Sequence, residues 1–319
     1  MAITVVGSVA LDTLETPFGS VDNVLGGATS YFSMAASLYD TVNLVAVVGH
    51  DFPERYREYF REKRVDLLGL QTAAGQTFRW GGRYHLDMNS RDTLFTELGV
   101  FADFRPVLPA SYRTAGIVFL ANIQPQLQLD VLHQADLDAV KLRALDTMNL
   151  WIDIAREDLI QVMRGVDVVL IAEEEARQLA GTPGLRAAAR YILDLGPRIL
   201  IVKQGSYGAL LFGKSGEFFA APAYPLEDVR DPTGAGDAFA GGFLGYLASR
   251  LNQTGDLTSD DFKRALIHGN IMGSFACEAF GVERLRELTQ AEVRSRYQEF
   301  IEFTHFEVPS ENGAGKSRS

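Results

Sequence analysis

The sequence predicts an α/β protein with a doubly wound, mostly parallel sheet flanked by helices and a small β sheet standing off it. Short, β-branched apolar runs recur along the chain and are continuous rather than alternating, the pattern of strands buried on both faces. Longer stretches with helical apolar spacing lie between them, and strand–helix alternation is what a parallel sheet requires. Two stretches break this rhythm, and they supply the small sheet.

The chain opens at once on a strand, Ile3–Val6, with no basic leader before it. Residues 11–24, interrupted by Pro17 and Gly19, form the first irregular stretch. A helix over 30–39, a strand over 42–48 and a helix over 53–63 follow. The second irregular stretch, 67–98, carries Phe78-Arg79-Trp80, then Gly81-Gly82, then Arg83-Tyr84-His85-Leu86. Aromatic and apolar runs about a Gly-Gly pair predict a hairpin turning at that pair. With 11–24 this stretch makes the small sheet, which reads either as a lid over a site or as a stray edge hairpin. Strands over 116–120, 142–145, 166–171 and 199–202 alternate with helices over 126–135, 155–164, 174–180 and 185–195. The last third is helical, over 238–251, 259–279 and 289–303. Residues 310–319 have no apolar pattern and are expected to be disordered.

With 319 residues, 47% of them hydrophobic, the chain can bury a large core in one domain with a small appendage. A net charge of −11 argues against a nucleic-acid partner, which needs a concentrated basic surface. The basic residues at 55–64 alternate with acids at helical spacing and read as a solvated face. An anionic chain that binds phosphates must use local N–H groups and a metal instead of a global field. The single cysteine, Cys277, allows no internal disulfide, and the five histidines lack ligand spacing. No apolar run reaches the ~18 residues of a membrane span, and a cytoplasmic protein is expected.

The chemistry concentrates in Asp231-Pro232-Thr233-Gly234-Ala235-Gly236-Asp237-Ala238-Phe239-Ala240-Gly241-Gly242-Phe243. Small residues at Gly234, Ala235 and Gly236 precede a helix, so bare N–H groups lie at the positive end of its dipole with no side chain to bar an anion. Gly241 and Gly242 weaken that helix by up to about 1 kcal/mol each relative to alanine, a cost that close packing against the sheet would explain. A carboxylate at Asp237 repels phosphate unless it has a proton to accept, and an attacking hydroxyl supplies one. Taken alone, the segment also reads as an ordinary helix start with Asp237 answering the dipole.

This segment resembles the C-terminal signature of the PfkB, or ribokinase-like, family of carbohydrate kinases at every position of its pattern, and the resemblance extends over most of the chain. It implies a ribokinase-like domain over 1–309 with lid strands inserted at roughly 11–24 and 67–98. It also implies an ATP-dependent kinase for a sugar or other polyol, with Asp237 as base and Gly234, Ala235 and Gly236 as phosphate cradle; a nucleoside kinase or a non-catalytic binding member are the alternatives. By the same resemblance, Asp12 after the first strand binds substrate hydroxyls, as do the Gly26-Gly27 main chain and Asn149 of Asp146-Thr147-Met148-Asn149. Tyr31 stands where the family usually has Asn and would reshape the pocket, while Trp80 and Tyr84 either close over a ring or pack within the lid. In Ala172-Glu173-Glu174-Glu175 the family's Glu is kept as Glu175, a Mg²⁺ candidate, but its Asn is replaced by Ala172. Lys203, Gly205 and Gly208 resemble the turn bounding the nucleotide, and Asn270 the polar contact on the adenine side. Asp231, Thr233 and the 279–281 turn match a K⁺ site. A homodimer through the lid is a further implication.

Overall fold

A computed structural model describes residues 1–305; the tail at 310–319 lies outside them. The chain begins β1 (Ile3–Val6), β2 (Ala10–Thr16), β3 (Gly19–Gly26), α1 (Ala28–Ala36), β4 (Val42–Gly49), α2 (Glu54–Glu62) and β5 (Val65–Ala73). It continues β6 (Arg79–Tyr84), β7 (Arg91–Glu97), β8 (Ile117–Leu120), α3 (Pro125–Gln134), β9 (Leu142–Asp146), α4 (Asn149–Ile154) and α5 (Arg156–Arg164). Then come β10 (Val168–Ala172), α6 (Glu173–Ala180), α7 (Leu185–Leu195), β11 (Ile199–Lys203), β12 (Ala209–Gly213) and β13 (Phe218–Ala221). The last part is α8 (Ala235–Thr254), α9 (Ser259–Ala276), α10 (Glu283–Glu287) and α11 (Gln290–Thr304).

A nine-stranded sheet runs β13-β12-β11-β10-β9-β8-β1-β4-β5, parallel from β11 through β5, with β12 and β13 antiparallel at one edge. Its strands alternate faces as the pleat dictates. Ile3, Val5, Leu44, Ile117 and Leu170 pack on one side with α1, α8 and α9; Val6, Val45, Leu120 and Ile171 pack on the other with α3, α5 and α7. Chain order reverses at β1, which lies between β4 and β8, and open α/β sheets bind ligands outside the strand ends at such a switch point. The carboxyl ends of β1, β9, β10 and β11 deliver Ser8, Asp146, Ala172 and Lys203 to that edge.

The second sheet runs β3-β2-β6-β7. Two expectations about it need correction. Residues 67–73 belong to β5 at the edge of the large sheet, where parallel pairing with β4 claims them. Gly81-Gly82 is no turn: the pair sits inside β6, and the chain reverses at 85–90, where His85 N–H donates to Ser90 O. The pair instead makes room for rings. A Cβ on Gly81 would meet Phe95 on one face of the sheet, and one on Gly82 would enter the Trp80 indole on the other.

Gly241 and Gly242 do serve close packing, but against helices and not the sheet. A Cβ on Gly241 would come 2.6 Å from Phe32 O on α1, and one on Gly242 2.5 Å from His268 O on α9. That three-helix contact fixes where α8 begins, at the switch point.

Candidate active site

Helix α8 starts from Gly234, whose φ of +71° is open to glycine and costly for other residues. No side chain caps this 20-residue helix. Ala235 N–H turns to Pro232 O at 3.2 Å, whereas the N–H groups of Gly234, Gly236 and Asp237 have no acceptor among the described residues. Ala235 is therefore a spacer in the bend, and the open donors are its neighbours. Unpaired N–H groups at a long helix's positive end form an anion cradle. The Tyr31 ring backs the bend, in the space a Cβ on Gly234 would take.

The Asp237 carboxyl lies half-buried at the mouth of this cradle. Desolvation first, and then the charge of Asp146, push its pKa up to about 7, against the pull of Lys203 and Arg91. A carboxyl poised there exchanges protons readily at neutral pH.

Across the bend, Lys203 Nζ is 2.6 Å from Asp146 Oδ2 and would be 3.4 Å from a Cβ on Gly236, so the ammonium lies along the bare face of the cradle. Burial alone would lower the Lys203 pKa, but Asp146 and Glu175 overcome it and hold it above its ordinary value. Glu175 is raised by burial; its Oε2 accepts from Ala172 N–H at 2.9 Å, and the Asn149 N–H also donates to it. Glu175 thus fills the helix-start role that the replaced side chain at 172 would share. Among the described residues no three His, Cys, Asp or Glu side chains form a ready metal cage. A divalent ion here must bring phosphate and water ligands of its own and take one or two carboxylates, as Mg²⁺ does.

On the other side, Asp12 is 3% exposed on β2 and lies in the space a Cβ on Gly26 would need. Its pKa is raised well above the ordinary value, first by burial and then by Asp231 and Asp237, while the Gly27 N–H bonds to it. Asp12 Oδ1 and the Tyr31 hydroxyl are both buried without a hydrogen-bond partner. Leaving such groups unpaired costs roughly 1–3 kcal/mol each, so their partner is expected to be a ligand.

The small sheet turns one face to this place. Asp12 pairs in register with Trp80, and Tyr84 with Arg91, so these side chains share a face. Thr233 Oγ1 donates to Tyr84 Oη at 3.1 Å, tying the sheet to the residue before the bend. The 85–90 turn reaches further, since Asn89 Oδ1 would be 3.6 Å from a Cβ on Gly205.

Most of the anticipated residues converge. Asp237, Gly234, Gly236, Lys203, Asp12, Gly26, Gly27 and Tyr31 lie beside one another about the bend. Gly208 and Asn270 meet one segment beside them: Gly208 abuts Ala221 and Pro222, and Asn270 Nδ2 donates to Pro222 O at 3.1 Å. Asp231 accepts from Thr233 N–H at 2.9 Å and Gly281 N–H at 3.0 Å, clamping the two turns together. Asn149 differs: its side chain is exposed, and its main chain alone reaches the cluster through Glu175. Asp146, three residues earlier, is the one that faces Lys203. Arg91 was also missed, because nothing in the spacing of a surface strand says which face looks inward.

The chain is similar to known proteins over most of its length. A family model for pfkB family carbohydrate kinases matches residues 3–287. The chain is 32% identical over 253 residues to a cytidine kinase of Thermococcus kodakarensis, covering 78% of this chain and 89% of that one. Its fold is similar to the nucleoside kinase of Methanocaldococcus jannaschii, an archaeal member of the ribokinase family (TM-score 0.75, 22% identity, 93% and 98% of the two chains). It is also similar to Arabidopsis thaliana ribokinase complexed with ribose and ATP (TM-score 0.73, 20% identity, 93% and 99%). No helix among the described residues is long and apolar enough to cross a membrane.

Proposed function

The chain belongs to the pfkB family of carbohydrate kinases and is an ATP-dependent kinase of a sugar or nucleoside hydroxyl; from that premise we propose that Asp237 is its base and that the acceptor is a riboside. The observation that carries the reading is Asp237, poised near pKa 7 beside unpaired N–H groups and opposite the unpartnered Asp12 and Tyr31 oxygens.

In this reading the ribose hydroxyls donate to Asp12, which also accepts from Gly27 N–H, and the sugar lies against the Gly26–Gly27 main chain. Asp237 accepts the proton of the attacking hydroxyl. The N–H groups of Gly234, Gly236 and Asp237, with Lys203, receive the charge that develops on the transferring phosphoryl oxygens. Glu175 and Asp146 are the carboxylates that would hold Mg²⁺, which when bound would supply positive charge to the phosphates. Thr233 and Tyr84 hold the lid down, excluding the water that competes as acceptor. Gly205, Gly208 and Asn270 bound the nucleotide's side.

A riboside is favoured over a free sugar by Trp80. The outer edge of its indole covers Gly82, on the face that carries Asp12, and the ring offers a planar surface to an aglycone. The test is ADP release with ATP, Mg²⁺ and a panel of cytidine, other nucleosides, ribose, fructose and 2-dehydro-3-deoxygluconate, with and without K⁺. The reading expects kcat/KM for at least one riboside to exceed every free sugar by tenfold or more. A free sugar or sugar acid turning over best would overturn the riboside assignment while leaving the kinase activity in place.

A further inference from the structure

Charge around the transfer site is unbalanced. Asp12, Asp146, Glu175, Asp231 and Asp237 crowd it, and Lys203, the cation that lies along the cradle, is already spent on Asp146 at 2.6 Å. A phosphoryl group in transfer spreads negative charge over its equatorial oxygens and needs positive charge close by.

The lid holds a cation, Arg91, that bonds to the Tyr84 hydroxyl and is given to no carboxylate among the described residues. Its other basic side chains are paired: Arg79 with Asp51 at 2.8 Å, Arg83 with Glu15 at 2.5 Å and His85 with Asp92 at 3.2 Å. Arg91 has no carboxylate within 4.0 Å among the described residues. It sits opposite Tyr84 in the β6–β7 ladder, its guanidinium 5.6 Å from the centre of the Trp80 ring, and it is close enough to Asp237 for its charge to be felt there. Tyr84 is itself held to Thr233, the residue before Gly234, so the contact that seats the lid also sets Arg91 beside the cradle.

We propose that Arg91 is a catalytic residue delivered by the lid. With both substrates bound, its guanidinium leaves the Trp80 face and pairs with the oxygens of the transferring phosphoryl group. Because Asp12 and Trp80 share its sheet face, the same closure that grips the acceptor brings the charge. The guanidinium therefore pairs with the phosphoryl oxygens only when a hydroxyl is in line, which restrains transfer to water. This rests on the kinase activity but not on which riboside is used.

Arg91→Ala tests it. The expected kcat falls by about 10²–10³, the loss seen when one charge-stabilising donor is removed from a transition state, while KM for ATP changes less than about threefold. Added guanidinium at millimolar concentration should restore kcat at least about tenfold, and Arg91→Lys should lie between. Independently of turnover, ADP with aluminium fluoride and cytidine should raise the Tm of the wild type more than that of Arg91→Ala, with equal shifts for ADP alone. A kcat within about threefold of wild type would overturn the proposal. So would a loss confined to the acceptor KM and insensitive to guanidinium, the behaviour of a residue that only braces the lid. If a free sugar and not a riboside turned over, the riboside reading would fail, and the aluminium fluoride comparison made with that sugar in place of cytidine would still decide on Arg91.

Discussion

At the scale of single residues, the account turns on a carboxyl that the fold makes reluctant to ionise. Asp237 moves from an ordinary 3.8 to about 7 because it is desolvated and faces Asp146. As a base it must be deprotonated, so kcat/KM should rise with pH to a plateau, with an apparent pKa near 7 and a tenfold fall per unit below it. A flat profile from about pH 5.5 to 8 would remove Asp237 from the role. Stability runs the other way. Between about pH 4 and 7 the folded state keeps a proton that the unfolded chain has released, so this group's contribution to stability declines as pH rises through that window. Asp237→Asn should therefore have a higher Tm than the wild type at about pH 8, with the gap closing near pH 4, as scanning calorimetry would read. Such a trade of stability for activity is common at active sites. Asp237 and Asp12 were legible in the sequence because they sit in or beside short, specific patterns. The pattern does not separate Asp146 from Asn149, since only the turn after β9 decides which of the two side chains faces Lys203.

At the scale of elements, the large sheet and its helices could be read from apolar runs, because strands buried on both faces leave an unbroken signal. The lid could not. Its strands are half exposed, and Gly81-Gly82 imitates a turn while serving to seat Phe95 and Trp80 on opposite faces of β6. That seating makes a prediction. Gly82 has no unusual φ, so Gly82→Ala leaves the strand backbone intact but pushes the indole off its bed. KM for the riboside should rise by roughly tenfold, about the 1–1.5 kcal/mol of an aromatic contact, while KM for ATP stays within about twofold. Equal effects on both substrates would mean that the lid as a whole had shifted. The bend has its own element-level reason: α8 begins where Gly241 and Gly242 dock it between α1 and α9, so the cradle is placed by packing well downstream of it.

For the whole molecule, the reversal of chain order at β1 gathers the ends of β1, β9, β10 and β11 at one edge, beside the small sheet. The base of the small sheet is rooted in the large sheet's core by Leu11 and Leu25, whereas its outer end meets the large sheet through Tyr84 with Thr233 and Asn89 beside Gly205, which suits a part whose outer end must open. Closure joined to acceptor binding predicts that ATP hydrolysis without a riboside runs at least about 10²-fold slower than transfer to one. Tyr84→Phe, which loses the tie to Thr233, should narrow that ratio; an unchanged ratio would mean the tie does not seat the lid. The most direct test of the central claim compares wild type and Asp237→Asn by ³¹P NMR with ATP, Mg²⁺ and the preferred riboside, alongside ATP affinity by calorimetry. The account predicts equimolar ADP and phosphorylated riboside from the wild type, a rate lower by about 10²–10⁴ in the variant, and ATP affinity within about threefold. Transfer by the variant at a rate near wild type would contradict it.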